Sequence, residues 1–243
     1  MLKSIIDLWN KLWGSVGAIV KTESQINVIE TNNKAEETQT LEETQVVEET
    51  QVVNTITKSK LELLCEENNL NYRAVKAIMM VESNGKPFAT YVNLGEYPKL
   101  RFEPHWFNKY EKNNPMPFTN NGKGFSSIAS ETNNVAYKKA LSINESAAIK
   151  ATSFGKFQIM GFHYTKLGYK TPQEFLQSMM TEEGQELNFV NFVMKNKILK
   201  DVLLLKDDEY TIDVFKRFAR SYNGDGNVET YAKKMKANFD KLK

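Results

Sequence analysis

The side chain whose placement first suggests chemistry is Glu82. In YRAVKAIMMVES, Val75, Ile78, Met79 and Glu82 recur at spacings of three, four and seven, so a helix would carry all four on one face. A carboxyl group that continues an apolar face loses water, and desolvation raises its pKa. A raised pKa keeps the proton on near neutral pH, as a general acid requires. The competing reading is a helix-end glutamate that swings into solvent beside Ser83, Asn84 and Gly85.

Two later clusters carry polar groups among apolar ones. In SFGKFQIMG at 153–161, Gln158 is the uncharged polar side chain between Gly155 and Gly161, surrounded by Phe157, Ile159 and Met160. Such a glutamine either satisfies a buried backbone group or reaches a ligand's amide or hydroxyl. In ARSYNGDG at 219–226, Tyr222 and Asn223 end a helical pattern just before glycine, where side chains can enter a cleft. Tyr-Asn before Gly is also ordinary helix-stop chemistry.

Taken in order, these segments resemble the lysozyme-like superfamily, whose lytic transglycosylases and goose-type lysozymes carry comparable Glu-Ser, Gly-x-Met-Gln and Tyr-Asn elements. The closer resemblance is to the N-acetylmuramidase domain of modular phage endolysins. The matching segments are VESNG at 81–85, FEPHWF at 102–107, SFGKFQIMG at 153–161 and YNG at 222–224, and they span about residues 60–243. The resemblance implies a peptidoglycan hydrolase that cuts the β-1,4 bond between N-acetylmuramic acid and N-acetylglucosamine and lyses bacteria. Glu82 would protonate the oxygen leaving N-acetylmuramic acid. Gln158, Tyr222 and Asn223 would line the glycan cleft, with Ser153 and His105 beside them in the matched segments.

Hydrolysis usually needs a second carboxylate, as base or nucleophile. Glu103 is the candidate, on the expectation that it ends the second strand of a hairpin folded over the cleft. The other reading makes it a structural acid paired with Arg101, Lys99 or Arg73. Without a second acid, the muramyl 6-hydroxyl or acetamido group would assist, as in a lytic transglycosylase, which leaves a 1,6-anhydro sugar. A wall-glycan binding module with an inert Glu82 is the non-enzymatic alternative.

The elements that must position these residues are mostly helical. Ser59 and Glu62 form a capping-box pattern, Asn71 precedes a second helix, and Thr171, Pro172 and Glu174 mark a strong helix start. Helical patterns continue over 182–196, 211–221 and 228–242. ATYVNLGEYPKLRF reads as one small hairpin, and 112–127, rich in Asn, Gly and Pro, reads as a loop. The expected fold is α+β and mostly helical: a lysozyme-like domain over 58–243 with a small hairpin beside the cleft.

Ahead of it, residues 1–20 place Leu2, Ile5, Ile6, Trp9, Leu12, Trp13, Val16 and Val20 on one helical stripe. Asp7 and Lys11 interrupt the run, so it reads neither as a secretory signal nor as a membrane span. An interfacial membrane helix, a partner-docking helix and a helix packed on the domain all fit. Residues 21–57 read as an acidic linker with three hexapeptide repeats, EETQTL, EETQVV and EETQVV, at 36–53. Synthesis in the cytoplasm followed by release or export to the cell wall is the expected route.

Charge follows the same division. Residues 1–57 hold four lysines against nine acids, a net of −5, while the remainder holds 28 basic against 21 acidic side chains, a net of +7. A basic domain suits an anionic polymer. There is no clustered basic helix or aromatic–basic motif, which argues against nucleic acid. The single cysteine, Cys65, rules out an internal disulfide and reads as a small packing residue. With two histidines and no metal-ligand spacing, no metal or cofactor is expected.

Overall fold

Side-chain caps set several of the helix starts. In the computed structural model, which describes residues 58–120, 126–127 and 132–242, Ser59 Oγ accepts from the Glu62 amide at 3.2 Å. That cap begins α1 (Lys60–Glu67), which buries Leu61 and Cys65. Burial pushes the Cys65 thiol up to about 12, so it packs rather than reacts. Asn71 Oδ1 accepts from the Ala74 amide at 2.9 Å and begins α2 (Tyr72–Ser83), with Ala74, Val75, Ala77 and Ile78 buried. The helix stops at Asn84, whose backbone is left-handed: its N–H donates to the Met80 carbonyl at 3.1 Å and the Gly85 N–H to that of Met79 at 3.5 Å.

The β structure differs from the single hairpin expected. Strands β1 (Phe88–Tyr91) and β2 (Gly95–Pro98) pair antiparallel, Phe88 opposite Pro98 and Tyr91 opposite Gly95. The next strand, β3 (Leu100–Phe102), leaves that ribbon and pairs antiparallel with β6 (Thr152–Phe154), which pairs in turn with β7 (Ile159–Met160). Pro98 has no N–H to extend the first ladder. Leu100 and Phe102 then gain a buried face against the core. Glu103 therefore directly follows a strand of the three-stranded sheet and precedes the next helix, a correction to its expected place at the end of a hairpin. The segment 112–127, expected as loop, contains two-residue strands β4 (Thr119–Asn120) and β5 (Ser126–Ser127), paired with each other.

Helices α3 (Pro104–Tyr110), α4 (Asn133–Ile143), α5 (Glu145–Lys150) and α6 (Tyr164–Leu167) surround this sheet. They are followed by α7 (Pro172–Met179), α8 (Glu182–Met194), α9 (Lys197–Leu203), α10 (Ile212–Asn223) and α11 (Val228–Lys241). Thr171 caps α7 as its sequence promised, its hydroxyl accepting from the Glu174 amide at 3.1 Å. Helix α8 is buried nearly all round, from Gln185 to Val193. Its Phe189 stacks on Phe157 of the β6–β7 turn with ring centroids 3.8 Å apart, which ties the sheet to the helices. Helix α11 packs on both α10 and α2, holding the ends of those two helices on the same side.

The described residues belong to one unit, Thr55–Lys243. The amphipathic helix read at 1–20 and the acidic linker read at 21–57 lie outside the described residues. Among the described residues, no helix is long and apolar enough to cross a membrane.

Candidate active site

The last turn of α2 presents Glu82 to a cleft of about 550 Å³ whose other walls come from β3, the β6–β7 turn and the end of α10. Glu82 keeps partial contact with solvent but is surrounded by protein atoms, and this desolvation drives its carboxyl from the usual 4.5 up to about 7. Two weaker effects pull the other way: a hydrogen bond from Asn223 and the positive charge of Arg101. The Asn223 Nδ2 donates to Glu82 Oε1 at 3.2 Å.

Tyr222, one residue earlier, donates its hydroxyl to the Phe157 carbonyl at 2.6 Å. Burial, with Glu82 nearby, holds its phenol well above the ordinary range, so it stays neutral. Its ring stacks on Phe218 and meets Phe192 edge-on. α10 thus delivers Tyr222 as a packed ring and Asn223 as an exposed amide beside the acid.

On the opposite wall, Arg101 Nε donates to Glu103 Oε1 at 2.9 Å, and His105 Nδ1 lies 3.7 Å from Glu103 Oε2. Glu103 is buried, is the residue before α3, and its amide donates to the Ala151 carbonyl at 2.9 Å. A buried carboxylate needs such a partner.

The turn between β6 and β7 supplies Gln158, held with φ +51 in the left-handed region that disfavours side chains. Its Nε2 donates to the carbonyls of Lys99 and Gly155, each at 2.9 Å, and its Oε1 accepts from Ser153 Oγ at 2.9 Å. Of the two readings open to this glutamine, the structure has its amide nitrogen satisfying backbone. Gly155 at φ +77 has no alternative, because a Cβ there would meet the Gln185 side chain at 2.5 Å. Gln185 in turn accepts from the Lys156 amide at 2.8 Å. Lys99 closes the frame, its Nζ donating to the Ser83 carbonyl at 2.8 Å, next to Glu82.

The cleft thus gathers Glu82, Glu103, His105, Ser153, Gln158, Tyr222 and Asn223. Sequence reasoning missed Arg101 as a cleft residue, along with Trp106, Phe162 and Tyr231. For Arg101 a signal was present: two residues before Glu103 on a strand, it shares that residue's face. Among the described residues no group of three side chains suits a metal ion.

The family model for N-acetylmuramidase matches residues 71–243, a stretch that contains both carboxylates and the whole cleft. The chain belongs to the N-acetylmuramidase family. The crystal structure of an endolysin from Burkholderia phage AP3 is similar to it, with a TM-score of 0.55 and 29% identity, over 75% of this chain and 68% of that one. No curated protein matches the chain. As a muramidase with an endolysin-like, mostly helical α+β fold, it is a peptidoglycan hydrolase of the glycosidase class.

Proposed function

We propose that the protein cleaves the β-1,4 bond between N-acetylmuramic acid and N-acetylglucosamine in peptidoglycan, lysing bacteria, with Glu82 as general acid. The observation that carries this reading is a desolvated carboxyl with a pKa of about 7, open to a cleft of about 550 Å³. Asn223 donates to Oε1, so the proton belongs on Oε2, from which it passes to the glycosidic oxygen as the bond to the muramyl anomeric carbon breaks.

Glu103, paired with Arg101, is the second carboxylate. It takes a proton from the water that attacks the anomeric carbon, or stabilises the oxocarbenium-like charge that develops there. Tyr222, Asn223 and His105 border the sugar, while Ser153 and Gln158 form the rigid floor. The pairing of Glu103 with Arg101 also favours a second reading, in which Glu103 is architectural. The muramyl 6-hydroxyl then attacks the anomeric carbon and the product is a 1,6-anhydro sugar.

Digestion of purified peptidoglycan, with the products resolved by mass, decides between them. Hydrolysis gives new reducing ends on N-acetylmuramic acid. Anhydro ends, lighter by one water, would transfer the assignment to a lytic transglycosylase. No cleavage at all would leave a glycan-binding module.

A further inference from the structure

The cleft has an aromatic side that acid–base chemistry does not use. From Trp106, ring centroids step 4.9 Å to Phe162, 4.4 Å to His163, 4.7 Å to Phe192 and 5.7 Å to Tyr222. All five rings line the cleft. Tyr222 stands beside Asn223 and hence beside Glu82, while Trp106 is four rings away along the wall. Burial lowers the His163 imidazole to about 4, so this ring is uncharged at physiological pH.

Trp106 is half-buried and set by backbone relative to the second carboxylate. Its amide donates to the Glu103 carbonyl at 3.0 Å in the first turn of α3. Tyr110, one turn on, lies nearly parallel to the indole at 17°, which restricts its rotation. The ammonium of Lys109 sits 4.4 Å from the indole centroid. That lysine is exposed, and an exposed cation–π contact is weak, so an incoming group can displace it.

A β-1,4-linked pyranose carries its hydroxyl groups at the rim and axial C–H bonds on its faces. An aromatic face with its negative quadrupole suits those C–H bonds, whereas a polar or charged wall would not. We propose that Trp106 and Phe162 form a stacking platform for a sugar ring of the glycan strand on the Glu103 side of the cleft, at the far end of the ring series from Tyr222. Trp106 then favours strands long enough to reach it from Glu82. This inference rests on the reading of the cleft as a glycan-cleaving site.

The test uses the full chain with Trp9→Phe, Trp13→Phe and Glu82→Gln, which leaves Trp106 as its sole tryptophan. The probes are naked N-acetylglucosamine–N-acetylmuramic acid strands of two, four and eight sugars. Saturable quenching or a blue shift of Trp106 emission is expected with the longest strand and little with the disaccharide. Calorimetric binding of the octasaccharide with unchanged emission overturns the proposal, and so does no binding.

In the otherwise unaltered enzyme, Trp106→Ala should raise KM for the octasaccharide about 10-fold with kcat nearly constant, the scale of one stacking contact plus its buried area. Trp106→Phe should recover most of it. A fall in kcat at unchanged KM would make the residue structural and sink the platform. Product analysis of the unaltered protein on peptidoglycan tests the cleavage reading independently.

Discussion

The two walls of the cleft treat their carboxyl groups in opposite ways. The helical wall, from the ends of α2 and α10, surrounds Glu82 with protein and gives it a neutral amide, so burial dominates and the proton is held to about pH 7. The sheet wall, from β3 and the β6–β7 turn, places Glu103 against the guanidinium of Arg101 and ties the polar atoms of Gln158 and Ser153 to the protein. One wall stores a proton and the other supplies a frame. A carboxyl that its surroundings keep protonated suits the acid role. Helix ends can approach a cleft with few partners of their own, whereas a strand edge arrives already bonded.

The sharpest way to break this comparison is Glu82→Gln. The amide keeps the shape and the contact with Asn223 but has no proton of suitable acidity to give. Turnover on purified peptidoglycan should fall about 10²–10⁴-fold, with the circular dichroism spectrum unchanged. A folded variant within a few-fold of the parent would remove Glu82 from the chemistry.

Glu103→Gln should have a smaller effect, about 10²-fold if Glu103 handles the attacking water. Because it also removes the carboxylate from the ion pair with Arg101, the variant should lose some thermal stability. If hydrolysis persists while melting temperature drops, Glu103 is part of the frame and the two walls differ in kind rather than in role.

A third prediction concerns pH. Glu82 must be protonated to act, so activity should decline as pH rises through about 7. The folded pKa lies above the ordinary 4.5, so the folded state binds the proton more tightly than the unfolded one. Its contribution is fully present below about pH 4.5 and is lost as pH rises through about 7. Glu82→Gln should therefore melt increasingly above the parent from pH 5 to pH 8, by up to about 3 kcal/mol. A gap that stays constant with pH would mean the carboxyl is not desolvated.

How much of this was legible follows the same division. The helical wall could be read because its signals are local: the cap at Asn71, and the three-, four- and seven-residue spacing that carries Glu82. The sheet wall was half-read. Glu103 and Gln158 were found by motif, but the pairing of Leu100–Phe102 with Thr152–Phe154 joins segments fifty residues apart, and no short-range pattern encodes it. The hairpin reading therefore ran on past Pro98. The left-handed backbone of Gln158 was equally hidden, since it is imposed by bonds to Lys99 and Gly155 rather than by residue type. The aromatic wall was missed because its rings come from α3, the turn at Gly161–His163 after β7, α8 and α10, each looking like ordinary core.

The smallest expected effect concerns the N-terminal segment, proposed to serve delivery through a membrane-surface or partner contact rather than chemistry. On its acidic, aromatic-free composition, the linker read at 21–57 is expected to add nothing to the catalytic core. A chain beginning at Thr57 keeps Ser59, whose hydroxyl caps α1, and keeps Leu61 and Cys65, which are 3% and 0% exposed within the core. It should fold and cleave purified peptidoglycan within about two-fold of the full chain, while losing killing of intact cells along with the Trp9–Trp13 stripe. A chain beginning at Asn71, where the family match starts, makes the contrast. It lacks α1, opens the face of α8 that α1 covers, and forfeits the burial of Leu61, a side chain whose burial contributes about 1.5–3 kcal/mol. That shorter chain should melt several degrees lower. If the Thr57 chain is instead insoluble or many-fold slower on purified walls, the N-terminal helix is part of the catalytic domain, and the boundary proposed at residue 58 is wrong.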